Sequence, residues 1–200
     1  MSSERRPTAD RKREIADAAL RIIARDGLGR FTTAAVAAEV GLTNGAIFRH
    51  FAGMDQIISA AIDRAEAVLF ESFPPTEPDP LRRLGQFVCA RLTAIRKHPE
   101  ILRVVYSGEL AQAEGAAGGD RVRGLKRRSI AFVRSCLQEA ADLGLLREEL
   151  EPKELTLIVL GTIMAVALVP EARAHDGASA SSPPRVWATV ERLIRRTSSL

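Results

Sequence analysis

The sequence predicts an all-α protein of about nine helices, and three observations support that prediction. Ala, Leu, Arg and Glu, which favour helices, dominate the 200 residues, and aromatic residues make up only 4% of them. Apolar residues recur three and four positions apart along most of the chain. Gly and Pro stand where those periodic segments end, and long β-branched runs are scarce. A β-sandwich or a β-barrel is therefore not expected.

Three helices are predicted in the first quarter of the chain. Gly27 and Gly41 follow the first two helices as stop signals, while Thr32 and Thr33 precede the second helix. Thr43 can cap the third helix. Two short helices joined by a turn that contains glycine form a helix-turn-helix. The three predicted segments are residues 8–26, 34–40 and 44–51.

Six further helices are predicted after this motif. Four prolines between residues 73 and 80 form a linker, since proline does not continue a helix. Asp79 and Pro80 then begin a new helix. Residues 115–119 are predicted to be a flexible loop, with Asp120 capping the next helix, and residues 171–184 are predicted to be mobile. The six segments are residues 54–70, 80–98, 99–113, 120–143, 152–169 and 185–197.

Cysteine usage, the N-terminus and the catalytic motifs that are missing exclude several classes of protein. Cys89 and Cys136 stand far apart and outside any C-x-x-C motif, so we expect two buried thiols in a reducing cytosol rather than a disulfide framework or a zinc finger. The first residues form no secretory signal, and the apolar stretch at residues 155–169 is too short to span a bilayer. P-loop, zinc-protease, hydrolase and dinucleotide-binding motifs are missing. We expect a cytoplasmic protein that is not an enzyme, has no metal or cofactor, and does not engage a membrane.

Positive charge is concentrated at the start of the chain. Residues 1–52 carry nine basic and six acidic side chains, whereas the rest of the chain carries 20 and 19. Five of the nine basic residues lie between Arg5 and Arg13. A basic arm of this kind is expected to contact phosphates, and a solvated tail is the alternative interpretation.

The second and third predicted helices, residues 32–51, read TTAAVAAEVGLTNGAIFRHF. This segment resembles the DNA-binding motif of the TetR family of one-component transcriptional regulators, with residue types and spacing that agree across 20 positions. The resemblance covers about residues 9–69 and implies a DNA-binding domain there, followed at residues 79–198 by a helical effector-binding and dimerisation domain. The matching positions are Thr32, Thr33, Val36, Ala37, Gly41, Leu42, Thr43, Gly45, Ala46, Ile47, Phe48, His50 and Phe51.

Within this motif, the recognition helix is expected to face base edges in the major groove. Asn44 can pair with adenine, and Arg49 can pair with guanine or with a phosphate. Thr33 and Thr43 stand at helix N-termini, where hydroxyl and backbone N–H groups bind phosphate, and His50 can donate to a phosphate. The predicted DNA-binding residues are Arg11, Lys12, Thr32, Thr33, Thr43, Asn44, Gly45, Ala46, Phe48, Arg49 and His50.

Two positions depart from the pattern of the family. Phe48 stands where the family commonly has a tyrosine whose hydroxyl contacts phosphate, and Met54 stands where it commonly has a lysine. Each phosphate that the protein neutralises adds about 0.9 to the slope of the salt dependence of binding. We therefore expect a weaker non-specific component of DNA binding unless the basic arm compensates.

The resemblance also implies an effector pocket and a dimer interface in the C-terminal domain. The pocket, which would suit a hydrophobic or amphipathic small molecule, is predicted at Phe87, Arg91, Leu102, Arg103, Tyr106, Phe132, Cys136 and Met164. The dimer interface is predicted on the last two helices, at Leu157, Leu160, Met164, Val186, Trp187, Val190, Leu193 and Ile194. Packing within one subunit is the alternative for both sets.

These expectations describe a homodimeric repressor in a bacterial cytoplasm, associated with the nucleoid. It would bind double-stranded DNA at a palindromic operator and be released by an unidentified small-molecule effector. Two alternatives stay open: an architectural or division-control DNA-binding protein that acts through a protein partner, and a helical adaptor that binds an acidic protein. A second basic cluster is interpreted as a solvated helix face, with a second DNA or an acidic partner as the alternative; it comprises Arg121, Arg123, Lys126, Arg127, Arg128 and Arg134.

Overall fold

The computed structural model describes residues 8–108, 110, 115–168 and 182–196. Within these residues the protein is all-α, which confirms the predicted fold class. A 3₁₀ turn at Leu28–Arg30 follows the first helix, and an isolated antiparallel bridge joins Leu146 to Arg195. The helices are α1 (Thr8–Asp26), α2 (Thr33–Glu39), α3 (Asn44–Ile47), α4 (Met54–Leu69), α5 (Pro80–Lys97), α6 (Pro99–Ser107), α7 (Gly115–Asp142), α8 (Pro152–Leu168) and α9 (Pro183–Ile194).

Several helix ends lie where the sequence predicts them, because their capping residues are recognisable. Gly27, Gly41 and Gly144 have φ angles of 76°, 68° and 66°, a left-handed conformation that glycine adopts without strain. The carboxylate of Asp79 accepts two amide hydrogen bonds from the first turn of α5, and Pro80 begins that helix. The predicted stop signals and the predicted cap of α5 are thus confirmed.

Two predicted boundaries are wrong because local hydrogen bonding and helix propagation differ from expectation. α3 ends at Ile47 rather than at residue 51, since the amides of Arg49 and His50 bond to carbonyls three residues earlier, at 3.3 and 2.9 Å. α7 begins at Gly115, so residues 115–119 are helical and Asp120 is not a cap. Each glycine there costs about 1 kcal/mol relative to alanine, but the long helix that follows propagates through them.

Smaller differences concern other segments. α9 begins at Pro183 rather than at residue 185, since proline is favoured in the first turn of a helix. α6 ends at Ser107, and the predicted continuation at residues 111–113, like the predicted mobile segment at 171–181, lies outside the described residues.

Cys136 is buried as predicted but Cys89 is only half-buried, and burial raises the pKa of both thiols.

The chain divides into two compact units. The first unit combines Met1–Val68 with Glu100–Gly124, so α6 and the first part of α7 group with α1–α4. Buried aliphatic side chains from five of these helices form its core, as periodic apolar faces predict. They include Ile15, Leu20, Ile22, Val36, Ile47, Ile57, Ile62, Ile101 and Val104.

The second unit combines Leu69–Pro99 with Leu125–Leu200, and in it α5 packs against α8 and α9. Arg195, directly after α9, donates hydrogen bonds to both carboxylate oxygens of Asp79, at 3.0 and 2.9 Å. Burial acts to raise the pKa of Asp79. The amide of Arg82 and the guanidinium of Arg195 outweigh that effect and hold the pKa below its ordinary value. This ion pair ties the end of α9 to the start of α5.

Candidate nucleic-acid interface

The turn between α2 and α3 has the geometry that a helix-turn-helix requires. Gly41 adopts a φ of 68°, and its amide donates to the carbonyl of Ala38 at 3.3 Å. The amide of Leu42 donates to the carbonyl of Ala37 at 2.8 Å. This pair of hydrogen bonds is a Schellman motif, which satisfies the carbonyls at the end of α2 and redirects the chain into α3.

Threonine side chains cap both helices of the motif. The hydroxyl of Thr32 accepts a hydrogen bond from the amide of Ala35 at 3.1 Å, and that of Thr43 accepts one from Ala46 at 3.2 Å. Both caps satisfy an amide that has no partner within its own helix. The predicted capping role of threonine before each helix is confirmed.

α3 presents a polar, exposed side because its opposite side is anchored in the core. Ile47 is fully buried, whereas Thr43, Asn44, Gly45 and Arg49 are exposed. Among the described residues Arg49 makes no ion pair, so its guanidinium is available to a base or a phosphate. Phe48 is 53% exposed, which is unusual for so large an apolar side chain.

The remaining predicted contacts of the motif differ in exposure. Thr32 is exposed, Thr33 and Ala46 are half-buried, and so is His50. The Nδ1 atom of His50 is buried and is the one such side-chain atom without a hydrogen-bond partner in the described part of the chain. In a neutral imidazole with an unprotonated Nδ1, Nε2 carries the proton and can donate it.

The basic arm is partly engaged within the protein. Arg11 donates to Glu14 at 2.7 Å, and the ammonium group of Lys12 lies 5.6 Å from the ring centroid of Phe51. Lys12 is exposed, so its charge is accessible to phosphate, whereas Arg11 is half-buried. Arg5 lies outside the described residues.

A carboxylate on α2 holds that helix to α1. Glu39 accepts hydrogen bonds from Arg21 at 3.0 Å and from Arg25 at 3.3 Å. These two guanidinium groups, Arg21 first, hold the pKa of Glu39 below its ordinary value against the opposing effect of burial. α1 therefore orients the helix-turn-helix through charge as well as through apolar packing.

Polar contacts also join α4 to its neighbours in the first unit. Arg64 donates to Asp17 of α1 at 2.7 Å. From α7, Arg121 donates to the hydroxyl of Ser59 at 2.8 Å and pairs with Asp63. The first part of α7 is thus attached to the helix that follows the recognition helix.

The residues predicted for the effector pocket fall in both units. Leu102, Arg103 and Tyr106 belong to the first unit, where Leu102 is buried and Tyr106 is half-buried. Arg103 is exposed and donates to the carbonyl of Ala24 at 3.4 Å. The other five belong to the second unit: Phe87, Arg91 and Cys136 are buried, whereas Phe132 and Met164 are half-buried.

Three side chains that the sequence reasoning did not select join this second group. Phe70, Phe73 and Arg128 pack with Phe87, Arg91 and Phe132, and we call these six residues the Phe–Arg cluster. A signal for it exists in the sequence. Phe87 and Arg91, like Arg128 and Phe132, are four positions apart, which places each pair on one helix face.

The residues predicted for the dimer interface do not share one environment. Trp187 and Ile194 of α9 are only 6% and 4% exposed, because they pack within their own subunit. Leu157 and Leu193 are 68% and 64% exposed. The other four, Leu160, Met164, Val186 and Val190, are half-buried.

The second basic cluster separates into different environments along α7. Arg121 contacts α4, Arg123 pairs with Asp120 at 2.7 Å, and Arg128 joins the Phe–Arg cluster. Arg127 and Arg134 line an open groove of about 700 Å³ along the exposed side of α7. The lining residues are Arg127, Ile130, Ala131, Arg134, Ser135, Gln138, Glu139 and Asp142.

The fold and the capped, outward-facing recognition helix define a helix-turn-helix DNA-binding regulator. Residues 15–61 match the family model for bacterial regulatory proteins of the tetR family, and residues 83–196 match that for the tetracyclin repressor-like C-terminal domain. The chain belongs to the TetR family of transcriptional regulators, as the resemblance implied.

Relatives of known function include the nucleoid occlusion factor SlmA of Vibrio vulnificus, which is 27% identical over 135 residues, or 66% of this chain and 68% of the relative. Similar solved structures include the ketosteroid transcriptional regulator KstR2 of Mycobacterium tuberculosis, with a TM-score of 0.72 and 19% identity over 94% of this chain and 96% of that one. AibR in complex with isovaleryl coenzyme A and operator DNA has a TM-score of 0.72 and 16% identity, and the match covers 92% of this chain and 97% of that chain. These structures share the fold.

Two kinds of site are absent from the residues that the structure describes. No helix among them combines the length and the apolar character needed to cross a bilayer. Nor do they bring together three or more His, Cys, Asp or Glu side chains in an arrangement that could hold a metal ion.

Proposed function

We propose that this protein is a repressor that binds a palindromic operator as a homodimer in the bacterial cytoplasm and is released by a small amphipathic effector. The observation that carries the proposal is the exposure of two side chains, Asn44 in α3 and Arg49 just after it, while Ile47 between them is fully buried. Asparagine and arginine are the side chains that pair bidentately with adenine and guanine in the major groove. The pair supplies the base readout, and the rest of the motif fixes its position.

Phosphate contacts are expected around this pair. Thr33 lies at the N-terminus of α2 and Thr43 directly before α3, where amides and hydroxyls favour an anion. His50 can contribute a ring N–H donor, since every imidazole tautomer carries one. Lys12 adds positive charge from the first turns of α1. Arg11 is the weaker candidate, since Glu14 neutralises it.

We place the dimer interface on α7 and α8 rather than on α8 and α9. The groove residues of α7 are self-complementary: a two-fold axis between Arg134 and Ser135 brings Arg127 of one copy opposite Asp142 of the other. The same axis brings position 131 opposite position 138. Opposite charges then meet at both ends of an antiparallel helix pair.

The exposed side of α8 supports the same interface. Leu157 and Ile158 are 68% and 55% exposed, and large exposed apolar side chains in neighbouring positions are typical of an interaction surface. Gly161 and Ala165 follow on the exposed side, and among the described residues a Cβ at Gly161 would meet no atom within 4 Å beyond its own turn of helix. A partner helix therefore has room to approach closely.

Selection of genomic fragments by the purified protein at near-physiological salt tests the proposal. We expect a short palindrome near one or a few promoters, and its loss with an Asn44→Ala/Arg49→Ala double variant. The matched control is Arg96→Ala, an exposed arginine of α5 outside the motif. A protein that enriches no sequence, or a double variant that enriches the same sites, would contradict the proposal.

A second candidate function is control of nucleoid occlusion through many chromosomal sites and a protein partner. It is favoured by one observation, the 27% identity to SlmA over 135 residues. The same selection separates the two functions. Hundreds of dispersed sites would favour occlusion, whereas one or a few promoters would favour a local repressor.

A further inference from the structure

We propose that the Phe–Arg cluster is a binding site for an amphipathic organic anion, with a carboxylate or sulfonate head and an apolar body. This inference rests on the proposed function, in which an effector that binds the second unit releases the protein from its operator. It specifies the charge of that effector and the residues that recognise it.

Two guanidinium groups converge on one aromatic ring in this cluster. The Cζ atom of Arg91 lies 4.9 Å from the ring centroid of Phe70, and that of Arg128 lies 4.3 Å from it. Arg91 is also 4.9 Å from Phe87, and Arg128 is 4.7 Å from Phe73. Cation–π contacts hold both positive charges at the aromatic surface. An anion at this surface would be attracted by two cations at once.

The four rings form a continuous apolar surface. Phe73 is central: its centroid lies 5.1 Å from Phe70, 5.9 Å from Phe87 and 4.9 Å from Phe132. Phe87 and Phe132 are 5.0 Å apart. Rings at such distances and angles make favourable edge contacts, and they offer an apolar ligand body the same kind of contact.

The position and burial of Arg91 fit an anion-binding role. The residue is only 4% exposed, and its Nη2 donates to the hydroxyl of Ser129 at 3.2 Å. That hydroxyl donates in turn to the carbonyl of Leu125 at 3.1 Å, so it accepts from Arg91 and fixes the guanidinium. A fixed charge in a low-dielectric site binds a carboxylate more strongly than a solvated charge does.

The cluster is partly accessible to solvent. Phe73 lies in the irregular segment between α4 and α5 and is half-buried. Phe70 and Phe132 are also half-buried, so the cluster reaches the protein surface.

A matched pair of fluorescent probes tests the site without any need for DNA. 8-Anilinonaphthalene-1-sulfonate carries the anion, and N-phenyl-1-naphthylamine is the same aromatic body without it. We expect the wild type to bind the sulfonate at least tenfold more tightly, at one site per subunit. Arg128→Met and Arg91→Met should abolish that preference, while Arg91→Lys should retain part of it. Arg123→Met, which changes an exposed arginine elsewhere on α7 that pairs with Asp120, is the control and should leave the preference intact.

The outcomes are distinct. Loss of the preference in the folded Arg128→Met variant, whose side chain is at the surface and not required for the core, supports the site. A wild type that does not prefer the sulfonate, or a preference that survives in Arg128→Met and Arg91→Met, overturns it. A protein that shows the preference but selects no DNA sequence would contradict the proposed function and leave this site standing.

Discussion

Gly85 and Trp187 are in contact across the α5–α9 interface, so closely that a Cβ at position 85 would overlap the indole ring. This contact explains why Trp187 is buried in its own subunit, although its helix has an apolar side that could face a partner. α9 therefore directs Trp187 into the second unit, which supports the dimer interface proposed above on α7 and α8.

Substitution of Gly85 tests this packing. Gly85→Ala forces the indole to move, and overpacking of this kind costs about 1–3 kcal/mol of unfolding free energy. A Gly85→Ala/Trp187→Leu double variant should lose less unfolding free energy than the sum of the losses in the two single variants. The smaller leucine makes room for the added methyl group. Urea denaturation of the four proteins measures the coupling. Additive effects would contradict the packing described.

Charge reversal tests the proposed dimer. Asp142→Arg and Arg127→Asp each place like charges at both ends of the α7 pair, so each should weaken the dimer at least tenfold. The double variant restores opposite charges and should recover most of the affinity. Glu149→Arg, which changes an exposed acid outside the groove, is the control. Sedimentation equilibrium gives the constants, and a double variant as weak as either single variant would exclude this pairing.

Removal of a helix cap tests the contribution of Thr43 to the motif. Thr43→Ala deletes the hydroxyl that accepts from Ala46, and loss of an N-cap costs about 1 kcal/mol. Thr43→Ser keeps the acceptor and should lie within about 0.5 kcal/mol of the wild type. Chemical denaturation compares the three proteins. Equal stability of the wild type and Thr43→Ala would show that the cap contributes nothing.

Adding a hydroxyl at position 48 should tighten DNA binding without changing its salt dependence. Phe48, directly after α3, is 53% exposed and has no hydroxyl that could hydrogen-bond to phosphate. If Phe48→Tyr adds a hydrogen bond to phosphate, DNA binding becomes tighter, and the salt slope stays unchanged because the neutral hydroxyl releases no counterion. Phe48→Leu removes the ring without adding a donor and serves as the control. Fluorescence anisotropy over a salt series measures both quantities; no gain over the wild type would mean that this position lies away from the backbone.

The ion pairs of Glu39 predict a dependence of stability on pH. The folded pKa of Glu39 is lowered, chiefly by Arg21, so its carboxylate stabilises the fold above its unfolded pKa. That contribution is lost as the pH falls through the folded pKa. Glu39→Gln should therefore be slightly less stable than the wild type near neutral pH, and the difference should vanish in acid. A difference that persists unchanged in acid would contradict an electrostatic cause.

The sequence was informative wherever structure depends on neighbouring residues. Gly41 and Thr43 specify the turn and the cap locally, so the helix-turn-helix could be predicted in detail. The start of α7 could not, because three glycines suggest a loop and only the length of the following helix overrides them. The burial of Trp187 and the grouping of Phe70 with Arg128 depend on contacts between distant segments. Helical periodicity gives the face of a residue but not its partner.

Nuclease protection of the selected operator tests whether two copies of α3 recognise it. We expect two symmetric protected half-sites with centres about 34–36 Å apart, one helical turn of DNA, for two copies of α3 in successive major grooves. We also expect Asn44→Ala/Arg49→Ala to abolish protection and Arg96→Ala to preserve it. Protection that is asymmetric, or that persists in the Asn44/Arg49 double variant, would contradict recognition by this helix.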